Sequence, residues 1–501
     1  MSIEGSSQKC LSTFPITPVL GQGPSGRLPV ELLSEIFLLC VDDNMEDDNT
    51  IHIPLILSRI CSRWRAAATS NHRLWSRLSL QLIGDSSRTH PALVDTWLKR
   101  SGVCPLTIYV FWEDPPFADS HLILEKLIAH STRWKSMFFY LPFRAFASFD
   151  KVRGRLPMLT ELSLGTGDEV PSPQPWQVSL DMFEIAPRLR SIECVNFSPT
   201  IFKFPWAQLH DIPLLSGNIP ECLSVLREAK KLSKLSYLFV EGGQVSQNTI
   251  FAPSILPISP VIPPIYSHIY HSHLTSLTIM TPPWNEYVDL SPFFPCIHLP
   301  HLETLTICNV SGRFGEEFLQ FLSGLHSLRT LHLRKTALPD DQLVEGLKHL
   351  PSLTSLIVLS SGSQTRNGQG AVVSEPTVTR YLLEALTRNF FSDDEMEGML
   401  LPRLKKLELT VSSTTARELD TFIDMLQSRL RSNAYEVFGA YCNSPDSSST
   451  GDMGLARLEH VRVRHCTALD NDFLIRLVEL RDLGLEVEVV QDGSKGEMSR
   501  L

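Results

Sequence analysis

The side chains best suited to catalysis are few and poorly gathered in this sequence. His268, His271 and His273 sit close together, but the Pro, Ser and Tyr around them come with no cysteine or carboxylate to complete a metal shell. A solvated loop is the expectation there. His465 and Cys466 are adjacent, and consecutive residues of a strand point to opposite faces, so they do not make a nucleophile and its base. Gly165-Thr-Gly167 opens like a dinucleotide loop but lacks the third glycine and reads as a turn. There is no P-loop, no G-x-S-x-G elbow and no H-E-x-x-H pair. The expectation is a protein that is not an enzyme and uses no metal or cofactor.

A second group of residues has the chemistry of recognition. Glu161 and Ser163, Thr304 and Thr306, Thr330, His332 and Arg334, Lys406 and Glu408, and His460, Arg462 and Arg464 each alternate with apolar residues. On strands they point away from the apolar face and present hydrogen-bond donors and charges side by side. Such a face suits a protein ligand. His332, Arg334, Lys406, Glu408, Arg462 and Arg464 are the candidate substrate-binding residues.

The elements that carry them come from a repeat. An apolar residue, two others, an apolar residue, one other and a third apolar residue recur from about residue 134 onward. Instances are Trp134/Met137/Phe139, Leu159/Leu162/Leu164, Leu189/Ile192/Cys194, Leu209/Ile212/Leu214 and Leu235/Leu238/Val240. Further along come Leu274/Leu277/Ile279, Leu302/Leu305/Ile307, Leu328/Leu331/Leu333, Leu353/Leu356/Val358, Leu404/Leu407/Leu409 and Leu458/Val461/Val463. The last two positions of each share one side of a strand, and the first anchors the turn leading into it. Much of the chain's content of 74 leucines is spent this way.

Between the strands lie helical candidates at residues 316–325, 340–350, 377–388, 415–429 and 472–480. Strand, helix, strand with parallel stacking gives a curved α/β solenoid. Wider gaps hold insertions: the Pro-rich stretch after Ile250, the Ser/Gly/Gln loop 360–371 with acidic 393–397, and 444–451. Residues 80–130, with Trp97-Leu-Lys-Arg100 and the strand-like 105–111, are expected to form an atypical first repeat or cap.

The N-terminal part differs. Pro29 is placed to start a helix, with Glu31 near its positive end. Leu32, Leu33, Ile36, Phe37, Leu38, Leu39 and Cys40 give this helix more than one apolar side. Acidic residues 42–48 follow as a solvated loop. A second helix is expected from Pro54 to about Thr69, with Leu57, Ile60, Cys61, Trp64 and Ala68 on its apolar side. Asn71 is a plausible cap for a third short helix holding Leu74 and Trp75. About fifty residues make a thin core, and one face of the first helix is left needing a partner.

Leu28-Pro29, Glu31-Leu-Leu33, Ile36-Phe37, Ile60-Cys-Ser-Arg-Trp64 and Leu74-Trp75, in that order, resemble the F-box. The longer acidic gap between the first two helices departs from that family's pattern. The repeat region resembles the irregular leucine-rich repeats found behind an F-box, and its short separations approach the usual period of 20 to 29 residues. The consensus Asn after the strand is mostly missing. The resemblance implies a three-helix module at 27–79 behind a disordered leader at 1–26. A recognition array would follow over 131–490, ending in a tail at 491–501.

By position, the resemblance also assigns contact with a Skp-type adaptor to Leu28, Pro29, Leu32, Ile36, Phe37, Leu57, Ile60, Trp64 and Trp75. Through the adaptor the chain would join a cullin and RING ubiquitin ligase and hold an unknown protein substrate. The alternative is a non-ligase scaffold in which the repeat region binds a partner.

Composition agrees with a protein-binding role. The 45 basic against 55 acidic residues give a net charge of −10, which argues against a global basic field for nucleic acid. The ten cysteines form no C-x-x-C pair, so a reducing compartment, cytoplasm or nucleus, is expected. Residues 1–26 lack a secretory pattern, and no apolar run is long enough to span a bilayer. The sequons at Asn196 and Asn309 therefore read as chance.

Overall fold

The computed structural model describes residues 28–41, 53–82, 91–112, 122–167, 180–240, 268–282, 288–310, 314–336, 338–359, 365–366, 372–373, 380–388, 399–411, 416–430, 456–465 and 471–491. The leader, the acidic 42–48 segment, the stretch from Ile250 to Ser267, the acidic 393–397 segment, residues 444–451, the tail beyond Gln491 and nearly all of the 360–371 loop lie outside them. Two compact units are present: residues 1–80 with 89–109, and residues 81–88 with 110–501.

In the first unit the described helices are Val30–Leu39, Ile53–Ile60 and Ser62–Ser70, followed by the 3-10 turn His72–Trp75. The single helix expected from Pro54 to Thr69 is broken in two. Cys61 is extended (φ −155°, ψ 170°), and its Sγ accepts the Trp64 amide at 3.4 Å, capping the second piece. No proline or glycine marks this break. Asn71 caps the next turn by accepting from the Arg73 amide at 3.2 Å.

The helix Pro91–Arg100 belongs to the same unit. Its Trp97 meets Trp75 edge-on at 4.7 Å, and the two indole N–H groups donate to Arg77 O at 3.1 Å and Ala68 O at 2.8 Å. Arg100 lies over the Trp75 ring at 4.4 Å. A buried aromatic pair with both polar handles satisfied is what holds this small core together.

The second unit contains a large parallel sheet. Its strands, neighbours in space in the order of the sequence, are Trp134–Tyr140, Glu161–Gly165, Ser191–Val195, Asp211–Gly217, Lys234–Phe239, Ser276–Met280, Thr304–Cys308, Thr330–Arg334, Ser355–Leu359, Lys406–Val411, His460–His465 and Glu486–Gln491. One transverse row of the register reads Leu235, Leu277, Leu305, Leu331, Leu356, Leu407, Val461, Val487, and all eight are buried. Burying one such side chain fully is worth about 1.5–3 kcal/mol, so each added strand extends one continuous core. The helices Glu316–Ser323, Asp340–Lys348, Arg380–Leu386, Ala416–Leu430 and Asn471–Asp482 pack each on the next. This mixed α/β unit is compatible with a solenoid-like stack.

Two repeats differ from the expected phase. In Asp211–Gly217 the register shifts between Ile212 and Leu215, with Pro213 unable to donate to the ladder, and Leu215 rather than Leu214 enters the core. In the next strand Leu235, Tyr237 and Phe239 are buried, whereas Leu238 and Val240 face the other side. The anchor there is the buried Leu232, three residues earlier than expected.

The strand Arg77–Leu82, outside the repeat instances, follows plain period-2 alternation, whereas Glu486–Gln491 buries Val487 and leaves Val489 exposed. Asn196 and Asn309, which match sequons, stand in the left-handed region just after strands (φ 66° and 59°), a conformation asparagine tolerates. Gly165 ends its strand where the Tyr140 ring leaves 2.7 Å for a β-carbon, so only glycine fits unshifted.

Two buried arginines donate to backbone carbonyls. Arg429 is 1% exposed and donates Nε to Leu386 O (2.6 Å), Nη1 to Leu401 O (3.0 Å) and Nη2 to Leu400 O (2.7 Å). Arg388 donates Nη2 to Pro402 O (3.1 Å) and Ala456 O (2.7 Å). Burial, and then the Arg388 cation, pull the Arg429 guanidinium down to about 9, which leaves it charged at neutral pH. Leu386 ends its helix, so the cation also meets the negative end of a helix dipole.

Candidate functional site

The first unit divides its apolar residues sharply. On the helix Val30–Leu39, Leu33 and Phe37 are one turn apart and face the unit's interior; Phe37 is 0% exposed and tilts against Trp64 at 4.9 Å. The neighbouring face, Leu32, Ile36 and Leu39, is open to solvent at 53%, 42% and 72%. On Ile53–Ile60 the same split recurs: Pro54 and Leu57 are buried, while Ile56 and Ile60 are 54% and 55% exposed.

Of the residues expected to meet an adaptor, Pro29, Leu32, Ile36 and Ile60 are therefore on the surface. Leu28 and Trp64 are half-buried, and Arg63 ties the first of these down by donating to the Leu28 carbonyl. Phe37, Leu57 and Trp75 are inside, where they hold the helices that present the others. A helix of ten residues with two apolar faces can turn only one of them inward here. Val30, Leu39 and Ile56 share the exposed surface and were not among the expected residues. Helical spacing from Leu32 and from Ile60 is the signal that finds Leu39 and Ile56.

In the second unit the polar side chains of the last strands are in register. His332 lies level with Ile357, Glu408, Arg462 and Glu488 on successive strands. Arg334 is level with Leu359, and Thr410 with Arg464, two residues further along. Glu408 is the hub of this face: Arg464 Nε donates to it at 2.5 Å and Arg462 Nη1 stands 3.7 Å away, while Arg462 Nη2 pairs with Glu488 at 2.7 Å. The Arg464–Glu408 pair is largely covered, with side chains 11% and 13% exposed, so its two charges compensate each other closely.

Burial pushes the His332 imidazole below its ordinary value. Arg334 and Arg464 push in the same direction and Glu408 opposes them, so the ring is neutral at neutral pH. Its Nε2 is buried without a hydrogen-bond partner, as is Thr410 Oγ1.

The six expected substrate-binding residues thus fall on three strands of one sheet face. Lys406 is apart from the cluster in charge and exposure, lying level with Ser355 and His460. Glu488, Thr410, Ile357 and Leu359 complete the face and were missed. The alternating Glu486-Val-Glu-Val489 run was the available signal for Glu488, whereas Thr410 carried none.

Of the histidines expected in a solvated loop, His268 and His273 are exposed, whereas His271 is buried. His271 is 3% exposed, its Nε2 bonded to Ala229 O at 3.0 Å and its Nδ1 accepting the Leu274 amide at 3.1 Å. Both ring nitrogens are used inside the fold, which fixes the neutral tautomer with the proton on Nε2. Burial lowers this histidine as well. Among the described residues no group of three or more potential ligands is placed to hold a metal ion. No described helix is long and apolar enough to cross a membrane. Cys466 lies outside the described residues.

No family model matches the chain, and no curated protein matches it.

Proposed function

We propose that this chain is the substrate-recognition subunit of an SCF-type ubiquitin ligase. Its N-terminal module would bind a Skp-type adaptor as an F-box does, and its repeat unit would hold the protein to be ubiquitinated. The chain itself performs no chemistry in this reading. It raises the effective concentration of substrate near a ubiquitin-charged enzyme bound elsewhere in the assembly.

The observation that carries the proposal is the exposed apolar surface of Leu32, Ile36, Leu39, Ile56 and Ile60 on helices whose other face is already packed. Large aliphatic side chains repeated at helical spacing on the outside of a small module mark an interaction surface rather than a core. Leu32, Ile36 and Ile60 of this surface belong to the ordered motif pieces Glu31-Leu-Leu33, Ile36-Phe37 and Ile60-Cys61. The polar, charged face of the second unit, centred on Glu408, supports a role in protein capture.

Co-expression with a Skp-type adaptor tests this. The native chain should co-purify with it, and the Leu32→Asp, Ile36→Asp double variant should not. The double variant must retain native thermal unfolding, because both side chains point into solvent. Failure of the native chain to capture the adaptor would remove the proposal.

A further inference from the structure

We propose that the cavity between residues 199–206 and the helix Ile219–Glu228 is a docking pocket for an arginine side chain of a protein partner. Tyr237, on the buried side of its strand, donates to Asn218 O at the start of this helix at 3.3 Å, so the pocket lies on the other side of the sheet from Glu408. It is a second contact surface of the same unit and does not rest on the ligase reading.

The cavity measures about 330 Å³, at the small end of ligand pockets, with an aromatic wall and an acidic one. In the aromatic wall Phe202 and Phe204 are 2% and 5% exposed. Phe204 is held between the Phe183 ring at 6.2 Å and the Trp206 ring, which it meets edge-on at 5.4 Å. The backbone is pinned as well, Lys203 N donating to Leu180 O and Leu180 N to Ile201 O, both at 2.8 Å. These rings are in place before any ligand arrives. Trp206 is half-buried, so part of its indole stays open to solvent where it lines the cavity.

The facing wall is one side of the helix: Glu221, Ser224, Val225 and Glu228 recur at helical spacing. Glu221 is fixed, its Oε1 accepting Ser198 Oγ at 2.5 Å and its Oε2 the Asn218 amide at 3.0 Å. Glu228, and Glu184 from the chain after Phe183, are exposed at the rim. Three carboxylates thus share the cavity with one ammonium, Lys203, and none of the four is in a described ion pair. Three charges less one leave the lining two negative charges in excess.

Geometry selects among cations. Among the described residues no three carboxylates converge closely enough to hold a metal ion, and Glu221 and Glu228 are separated by about 10 Å of helix. A spread, partly apolar cation suits such a cleft. A guanidinium is planar and weakly hydrated, stacks on an indole and offers its donors as a fork to carboxylates, while its methylenes can lie on Phe202 and Val225. An ammonium is compact and strongly hydrated and loses more on entering an aromatic cleft. Arginine is also among the residues that anchor protein interfaces.

The test uses the full chain labelled with fluorotryptophan, with the Trp206 fluorine signal assigned by comparison with Trp206→Phe. N-acetylarginine amide, N-acetyllysine amide and N-acetylglutamine amide are titrated separately at constant ionic strength. The arginine amide should shift the Trp206 signal saturably, with half-saturation of roughly 1–10 mM for so small a ligand. The lysine amide should bind more weakly, and the neutral glutamine amide should not saturate. The double variant Glu184→Gln, Glu228→Gln should weaken the arginine amide about threefold or more, and Lys203→Gln should strengthen it about twofold. Glu345→Gln, on another helix, should leave it unchanged. The carboxylates replaced are exposed, so the double variant should keep native thermal unfolding.

Absence of a saturable shift with the arginine amide would overturn the proposal. So would an equal response to the glutamine amide, a lysine amide that binds as tightly as the arginine amide, or a folded double variant that binds as well as the native chain.

Discussion

Replacing Arg429 by methionine should destabilise the second unit by about 2–4 kcal/mol. The guanidinium is 1% exposed and is the hydrogen-bond donor for the carbonyls of Leu386, Leu400 and Leu401. The Leu386 and Leu400 oxygens would be left buried and unmatched at roughly 1–3 kcal/mol each, and the Leu401 oxygen, which keeps the Leu404 amide at 3.3 Å, would lose about 0.5–1.5 kcal/mol, a gross loss of about 2.5–7.5 kcal/mol. Against this, methionine removes a buried charge and its repulsion from Arg388, which lowers the cost by several kcal/mol. The balance stays unfavourable because the chain, not the charge, needs the three bonds. They join the end of the Arg380–Leu386 helix to the turn before the Lys406–Val411 strand.

A chain with two compact units need not unfold in one step, so the readout should be local. Native-state hydrogen exchange at amides of the Ala416–Leu430 helix reports the opening free energy where the residue sits. Lysine at 429 should recover only part of the loss, since one ammonium cannot reach three carbonyls in the guanidinium's fork. A change below about 0.5 kcal/mol for Arg429→Met would refute the reasoning, since it would mean that solvent or side-chain relaxation satisfies the carbonyls at no cost.

Three further expectations follow from the same structure. Leu215→Ala should cost about 2–5 kcal/mol and Leu214→Ala under about 1 kcal/mol, because the register shift puts only the former in the core; equal costs in thermal unfolding would contradict the bulge. Acidification should weaken the second unit through His271 and His332. Both are lowered in the fold, so below about pH 6.5 the unfolded chain binds protons that the folded chain does not, and stability falls with pH until the lowered folded values are passed. His271→Gln should flatten part of that slope in thermal melts taken between pH 7 and pH 5, and an unchanged slope would count against it. Leu305→Ala, in the apolar row of the sheet, should cost about 2–5 kcal/mol by the same melts, whereas Thr306→Ala on the opposite face should stay within about 1 kcal/mol.

The repeat was legible in the sequence because a strand buried on one side writes a period of two into the chain, and a fixed anchor three residues earlier makes that pattern distinctive. Leu274/Leu277/Ile279 and Leu302/Leu305/Ile307 sit as their spacing says, fully buried. It was least legible where the backbone departs from regular pairing. At Leu214 and Leu215 two adjacent leucines are chemically equal, and only the bulge after Ile212 decides which enters the core. At Lys234–Phe239 the aromatic Tyr237 takes a place the leucine pattern gave to Leu238.

The N-terminal helices were readable as amphipathic, but which apolar face turns inward depends on Trp64, Trp75 and Trp97, residues distant in sequence. The charged face around Glu408 was half legible. His332, Arg334 and Arg464 alternate with leucine and valine, whereas Thr410 matters only because of what the register places beside it.

The central claim is that the first unit docks on an adaptor through the outward faces of its first two helices. Hydrogen–deuterium exchange of the full chain, with and without a saturating Skp-type adaptor, tests it most directly. The account expects slowed exchange across Val30–Leu39 and Ile53–Ile60, with the strands from Thr304 to Gln491 unchanged. Unchanged exchange in both helices, or protection confined to the sheet, would contradict it.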